Sequence, residues 1–154
     1  MTTHEALWFL MAPNWALPFL CGTACGLHAV CDGEVDARHF DRPPSPRQER
    51  WPDIHRVFTM RRSCLWIVVA FAAGLPTALA CILMFPYLHD GSYYNNRMLI
   101  DGNVYAQGWA SEPSGTSTAR WSFDYRTRCY LAAVGLIILA TVIFGTMNNV
   151  SLQR

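Results

Sequence analysis

The chain has 154 residues, 52% of them hydrophobic and 15% charged, with a formal net charge of +1 and a mean hydropathy of +0.13. That balance leaves no basic surplus to hold a nucleic acid. All twelve cationic residues are Arg, which reads first as coding bias, because lipid and phosphate sites use Lys as readily.

The charges are segregated along the chain: Ala6–Cys31, Ser63–His89 and Cys129–Gln153 contain no Asp, Glu, Lys or Arg. Each run is long enough, at about 1.5 Å per helical residue, to cross a hydrocarbon layer roughly 30 Å thick. Helices of a soluble domain this small need a polar face toward water. The expected fold is therefore an all-α membrane protein, residues 1–154 forming a single embedded chain. Its spans fall at about 6–30, 64–88 and 129–147, joined by irregular Pro/Gly-rich connections over 32–62 and 90–128.

The first run is the least regular, since Pro13, Asn14 and Pro18 interrupt its first half. Three readings fit: one kinked span; an interfacial segment to Asn14 followed by a helix over Trp15–Val30; or a re-entrant or surface-lying segment. A spanning element is the one adopted. No basic residue precedes Arg38, so the positive n-region of a secretory signal is missing. Nor is the start an Arg-rich transit peptide, so any organelle address is expected to be internal and the N-terminus retained.

The connection after it holds seven Arg and six acids, with Pro43, Pro44, Pro46 and Pro52. PPSPRQERWP is expected to be extended and to wrap a neighbour. The second run follows Arg61-Arg62 and ends at His89-Asp90-Gly91. Trp66 and Tyr87 lie near its two ends, where amphipathic rings favour the membrane interface, and Pro76 should kink it.

The second connection reads as turn-rich: DGSYYNN, then Asp101-Gly102 between apolar residues as a hairpin signal, then SEPSGTST. Trp121, Tyr125, Arg126, Arg128 and Tyr130 mark the entry of the third run as an interface or lipid-contact belt, one that a cardiolipin-like phospholipid would suit. The third run's apolar core ends near Met147. Asn149-Val150-Ser151 matches a glycosylation acceptor by chance so close to a membrane. Seven Arg in the first connection against four in the second put the first on the cytosolic or matrix side. With three spans, the N-terminus lies opposite it and the C-terminus on the same side.

Small residues at four-residue spacing mark helix-packing ridges in every run: Gly22 and Gly26; Ala70, Gly74 and Ala78; Thr141 and Gly145. The six cysteines show no CxxC pairs and read as small apolar residues. Cys21, Cys25 and His28 share one helix face, but the first and last stand about 10 Å apart along the axis, too far for one closed metal site. Only His28 and His89 lie near the spans, and on three alternating spans they exit on opposite faces, where they cannot clamp one haem. No intramembrane carboxylate, nucleophile motif or phosphate-binding Gly loop is present. The expectation is a non-enzyme without catalytic, metal or cofactor residues of its own.

A chain without chemistry, but with packing ridges and coreless connections, fits into a larger assembly. WPDIHRVFTMRR, some twenty residues after the first span, resembles the W…M-x-R-R/D pattern that follows the single span of a small complex I accessory subunit. An early span with an uncleaved N-terminus, short helices and Pro-rich wrapping segments are similar to the wider class of small accessory subunits of mitochondrial respiratory complexes. The pattern covers a dozen residues, and 63–154 has no counterpart in it. The resemblance implies a multi-pass subunit of the mitochondrial inner membrane, stabilising an electron-transport complex through other membrane subunits and lipids, without its own redox centre. Two other classes compete. A membrane anchor of succinate dehydrogenase is similar in length and span number, but would need an intramembrane haem-ligating His and an Asp-Tyr pair near the quinone. Here Asp124-Tyr125 precedes the third span. The other is a free-standing membrane adaptor.

Overall fold

The computed structural model describes residues 16–39, 54–100, 105–113 and 123–151. Among these the fold is all-helical: α1 (Ala16–His39), α2 (Ile54–Ala73), α3 (Leu75–Ile100) and α4 (Tyr125–Ser151), with one 3-10 turn at Gly108–Ala110. The central element is α3, on which α1, α2 and α4 all pack.

The run expected to form one span over 64–88, kinked at Pro76, is instead two helices. Gly74 adopts φ +86° and separates α2 from α3. Its N–H still donates to Ala70 O (3.1 Å), ending α2, while its own carbonyl accepts from Ala78 N–H (3.2 Å), opening α3. Only glycine adopts this left-handed conformation without a Cβ penalty. Pro76 then falls in the first turn of α3, where a missing N–H leaves no helical bond unmade.

The two helices fold back on each other. Trp66 meets Phe85 edge to face (5.6 Å), and Val69 shares a small core with Ala78 and Cys81. The arms from the charged end to Gly74 are about 16 and 21 Å long at 1.5 Å per residue, each short of a 30 Å hydrocarbon layer. Trp66, expected in an interface belt, instead packs inside this hairpin.

Along α1 and α3 the contacts advance in the same direction, so these helices run parallel. Cys25 meets Cys81, Gly26 approaches Leu88, and the Ser92 hydroxyl donates to Val30 O (2.8 Å). Gly33 permits the closest approach, since a Cβ there would lie 2.2 Å from His89 O. Along α3 and α4 the order reverses: Gly135 sits over Ala80 and Met84, and Arg128 near Tyr94.

Helical structure reaches into both expected connections. α1 continues through Asp32, Glu34, Asp36 and Arg38, and α3 runs through Asp90-Gly91-Ser92 to Ile100. The Asp-Gly turn preference there yields to the tertiary bond from Ser92 to α1, and Asn96 bonds back within the helix, its Nδ2 donating to Ser92 O (2.9 Å). The Pro-rich stretch 43–52, the Asp101-Gly102 hairpin signal, Trp121 and residues 1–15 lie outside the described residues.

One helix segment, Tyr125–Asn148, is long and apolar enough to cross a membrane, with mean hydropathy 2.2 and 11% of its most apolar window buried in the protein. The proposed packing residues part company. Gly22 lies under Leu139 of α4 (2.8 Å to an added Cβ), Ala78 is buried and Ala70 packs on the core. Ala70, Gly74 and Ala78 form no continuous ridge, because Gly74 is the turn between two helices. Thr141 donates its hydroxyl to Ile137 O (2.8 Å) and is exposed, and Gly145 has open space around it.

Gly33→Ala should therefore lower stability by about 1–3 kcal/mol as overpacking between α1 and α3, and Gly74→Ala by about 1–2 kcal/mol through the left-handed backbone. Gly145→Ala should leave it unchanged or slightly raised. Unfolding of the three variants in one detergent tests this ranking.

Candidate functional site

At the end of the bundle away from Gly74, three helices place charged groups against one another in the protein's interior. Asp32 and Asp36 stand one turn apart on the α3-facing side of α1. Arg61 and Arg62 come from α2, and His89 and Asp90 from α3. The side chains of Asp32, Asp36, His89 and Arg62 are 1%, 8%, 11% and 16% exposed. Arg62 is the hub: its Nε donates to Asp32 Oδ2 (2.7 Å), and its Nη2 reaches Asp36 Oδ2 and His89 Nε2, both at 2.9 Å. The half-exposed Arg61 pairs with the other oxygen of Asp32. Phe85 lies under both, its ring 4.9 Å from the Arg62 guanidinium carbon and stacked on His89.

His89 is held from both sides. Nδ1 lies 2.8 Å from Asp90 Oδ1, and Nε2 lies 3.0 Å from Asp36 Oδ2. Burial works to lower its pKa and Arg62 adds to that, but the hydrogen bonds to Asp36 and Asp90 outweigh both, so the net shift is upward. Three carboxylates against two guanidiniums leave one negative charge, which a protonated His89 neutralises.

One ligand atom from each of Asp32, Asp36 and His89 falls within 4.8 Å of the others, a set that could hold a metal ion. Asp90 on Nδ1 is also the partner that commonly orients a metal-bound histidine. Yet the guanidinium of Arg62 contacts all three residues, and the cation this donor set needs is supplied by the chain. The group fits a charge-compensated clamp joining α1, α2 and α3.

A second buried group lies between α3 and α4. Arg128 was expected at a lipid interface; it is fully enclosed (0% exposed). Its Nη2 donates to Ser111 O (2.5 Å), and its guanidinium carbon lies 5.0 Å from the Tyr94 ring and 5.6 Å from that of Tyr125. Burial raises the Tyr94 pKa, so the phenol stays neutral. The segment carrying Ser111 is anchored by Trp109, whose indole fills the notch left by Gly91: a Cβ there would be 2.1 Å from Trp109 Cε2. Tyr87 packs on the same indole at 5.8 Å. Of the remaining belt residues, Tyr130 is 73% exposed and Arg126 is also exposed.

Sequence reasoning missed Asp32, Asp36, Arg62 and His89, treating them as wet ends of connections. Their signal was present: acids at i and i+4, and charged pairs placed almost symmetrically about Gly74. The two histidines are also corrected. His28 lies between Gly26, which faces Leu88, and Val30, which accepts from Ser92, so His28 and His89 occupy the same end of the bundle. The hairpin at Gly74 returns the chain to the face it left.

No protein-family model, curated protein or solved structure matches this chain.

Arg62→Met should destabilise the protein by about 3–5 kcal/mol, because it leaves Asp32 and Asp36 buried without their counter-charge. The raised pKa of His89 means that the folded state binds its proton more tightly than the unfolded chain. That contribution is complete below the unfolded value, about 6.5, and is lost as pH rises through the higher folded value. His89→Gln should flatten that loss between the two pKa values in unfolding measured across pH.

Proposed function

We propose that this chain is a non-catalytic, multi-pass membrane subunit that helps to hold a larger hetero-oligomeric complex together. The host implied by the sequence resemblance is a respiratory complex of the mitochondrial inner membrane. One observation carries the reading: the bundle is polar within and apolar without. Asp32, Asp36, His89 and Arg128 are buried, whereas Phe71 is 89% exposed, Leu75 74%, Ile137 66%, Phe144 63% and Val68 62%. Large apolar side chains exposed to this extent call for lipid or partner helices around them. Asp32, Asp36, Arg62 and His89 are spent on one another and Arg128 on the Ser111 carbonyl and two tyrosine rings, which leaves no nucleophile paired with a base among the described residues.

In this reading α4 crosses the bilayer, α1 forms a second crossing, and the α2–α3 hairpin dips in from the charged face and returns. Both connections then leave from that one face. They carry seven and four of the twelve arginines, so the modest bias expected from three alternating spans becomes nearly complete and puts this face toward the cytosol or matrix. The N- and C-termini share the opposite side.

Affinity purification of the tagged chain in mild detergent tests the role. A stoichiometric set of membrane partners that includes redox subunits supports it, and recovery of the chain alone overturns it. A haem or quinone contacted by this chain would point instead to a succinate dehydrogenase anchor. Protease added to one side of sealed vesicles should cut both connections. Cleavage of one connection from each side would restore the three-span topology.

A further inference from the structure

Tyr87 of α3 and Cys129, Ala132, Ala133 and Leu136 of α4 line a surface groove of about 240 Å³. Its α4 residues follow i, i+3, i+4 and i+7 spacing, so the groove runs along the axis of α4, which among the described residues is the helix apolar enough to cross a membrane. The alanines form its floor. It is smaller than the roughly 300–1,000 Å³ of a compact ligand site and narrow enough for part of a single alkyl chain.

Arg126 stands three residues before Cys129, and therefore one turn beyond the groove on the same face of α4. It is exposed, and its charge helps to hold the Asp124 carboxyl below its ordinary pKa. The two acids beside it are engaged by the helix start: Asp124 Oδ1 accepts the Thr127 N–H (2.6 Å), and the Glu112 carboxylate accepts the Tyr125 N–H (3.1 Å). An apolar groove along α4 ending at an exposed guanidinium suits an alkyl chain that ends in an anionic phosphate.

We propose that α3 and α4 form a binding site for an anionic phospholipid, one acyl chain lying in the Tyr87–Leu136 groove and the phosphate meeting Arg126. This rests on the membrane reading above. The acyl chain separates this ligand from free phosphate, which Arg126 alone would hold only weakly at the surface, and the wall that Tyr87 of α3 adds beside α4 separates it from annular lipid sliding over the exposed face of Val134, Ile137 and Phe144.

The test uses the tagged full chain in its native membranes, loaded in parallel with phosphatidylglycerol or phosphatidylcholine bearing a photoreactive acyl chain. After illumination, adducts are mapped by peptide mass spectrometry. Adducts should concentrate on residues 129–136, with anionic lipid favoured about fivefold, the ratio that corresponds to about 1 kcal/mol for one cation near a membrane surface. Arg126→Gln should bring the two lipids to parity, and Ala133→Phe should remove both from the groove while membrane extraction stays unchanged. Equal labelling by the two lipids in the unmodified chain, or adducts spread evenly along α4 to Phe144, would overturn the site. Free phosphate competing away the label at millimolar concentration would also overturn it, because the acyl chain would then contribute nothing. Release of the protein by alkaline carbonate, checked first, reports failure of the membrane reading separately.

Discussion

The guanidinium of Arg62 is the point on which this bundle depends. It pairs with Asp32 and Asp36 of α1 while belonging to α2, and Asp36 in turn holds His89 of α3, so one cluster ties three helices at a single level. In a poorly hydrated interior neither acid could stay ionised without it, and Arg62 would have no reason to be buried without them. The core beneath is thin: Cys25, Val69, Ala78 and Cys81 are small and bury little area. In the membrane setting proposed above, apolar association lacks the drive it has in water, and directional charge pairing would do much of the specifying.

Close backbone approach makes the clamp reachable. Gly33 lets α1 lie against the α3 backbone beside His89, and Gly91 admits the Trp109 indole that brings Ser111 to Arg128. Side chains at either glycine would hold the helices apart by more than a hydrogen bond can span. The polar end of the bundle is thus built from glycine notches filled by specific partners, while the opposite end presents Phe71 and Leu75 outward. That asymmetry supports a chain inserted from one side, its charged layer at the membrane surface and its hairpin tip within the hydrocarbon.

Residue patterns alone were enough for the helical class and for the apolar character of 129–147, because uninterrupted apolar composition over such a length has few other uses. The Arg distribution was also legible, although its meaning depended on how many times the chain crosses. Gly74 followed by Pro76 could have been read as the end of one helix and the first turn of the next; composition favoured a kinked span because hydropathy counts residues and ignores the direction in which they run.

What tertiary structure alone decided is that direction. A single positive φ at Gly74 turns one apolar run into two antiparallel arms, and this reversal brings residue 62 to residue 89, puts His28 and His89 at one end, and converts wet-looking charges into a buried network. Composition is a local property and survives in the sequence. The pairing of Arg62 with Asp32 and Asp36 spans as many as 30 residues, and no local pattern states which acids a distant arginine will meet once the backbone has folded back.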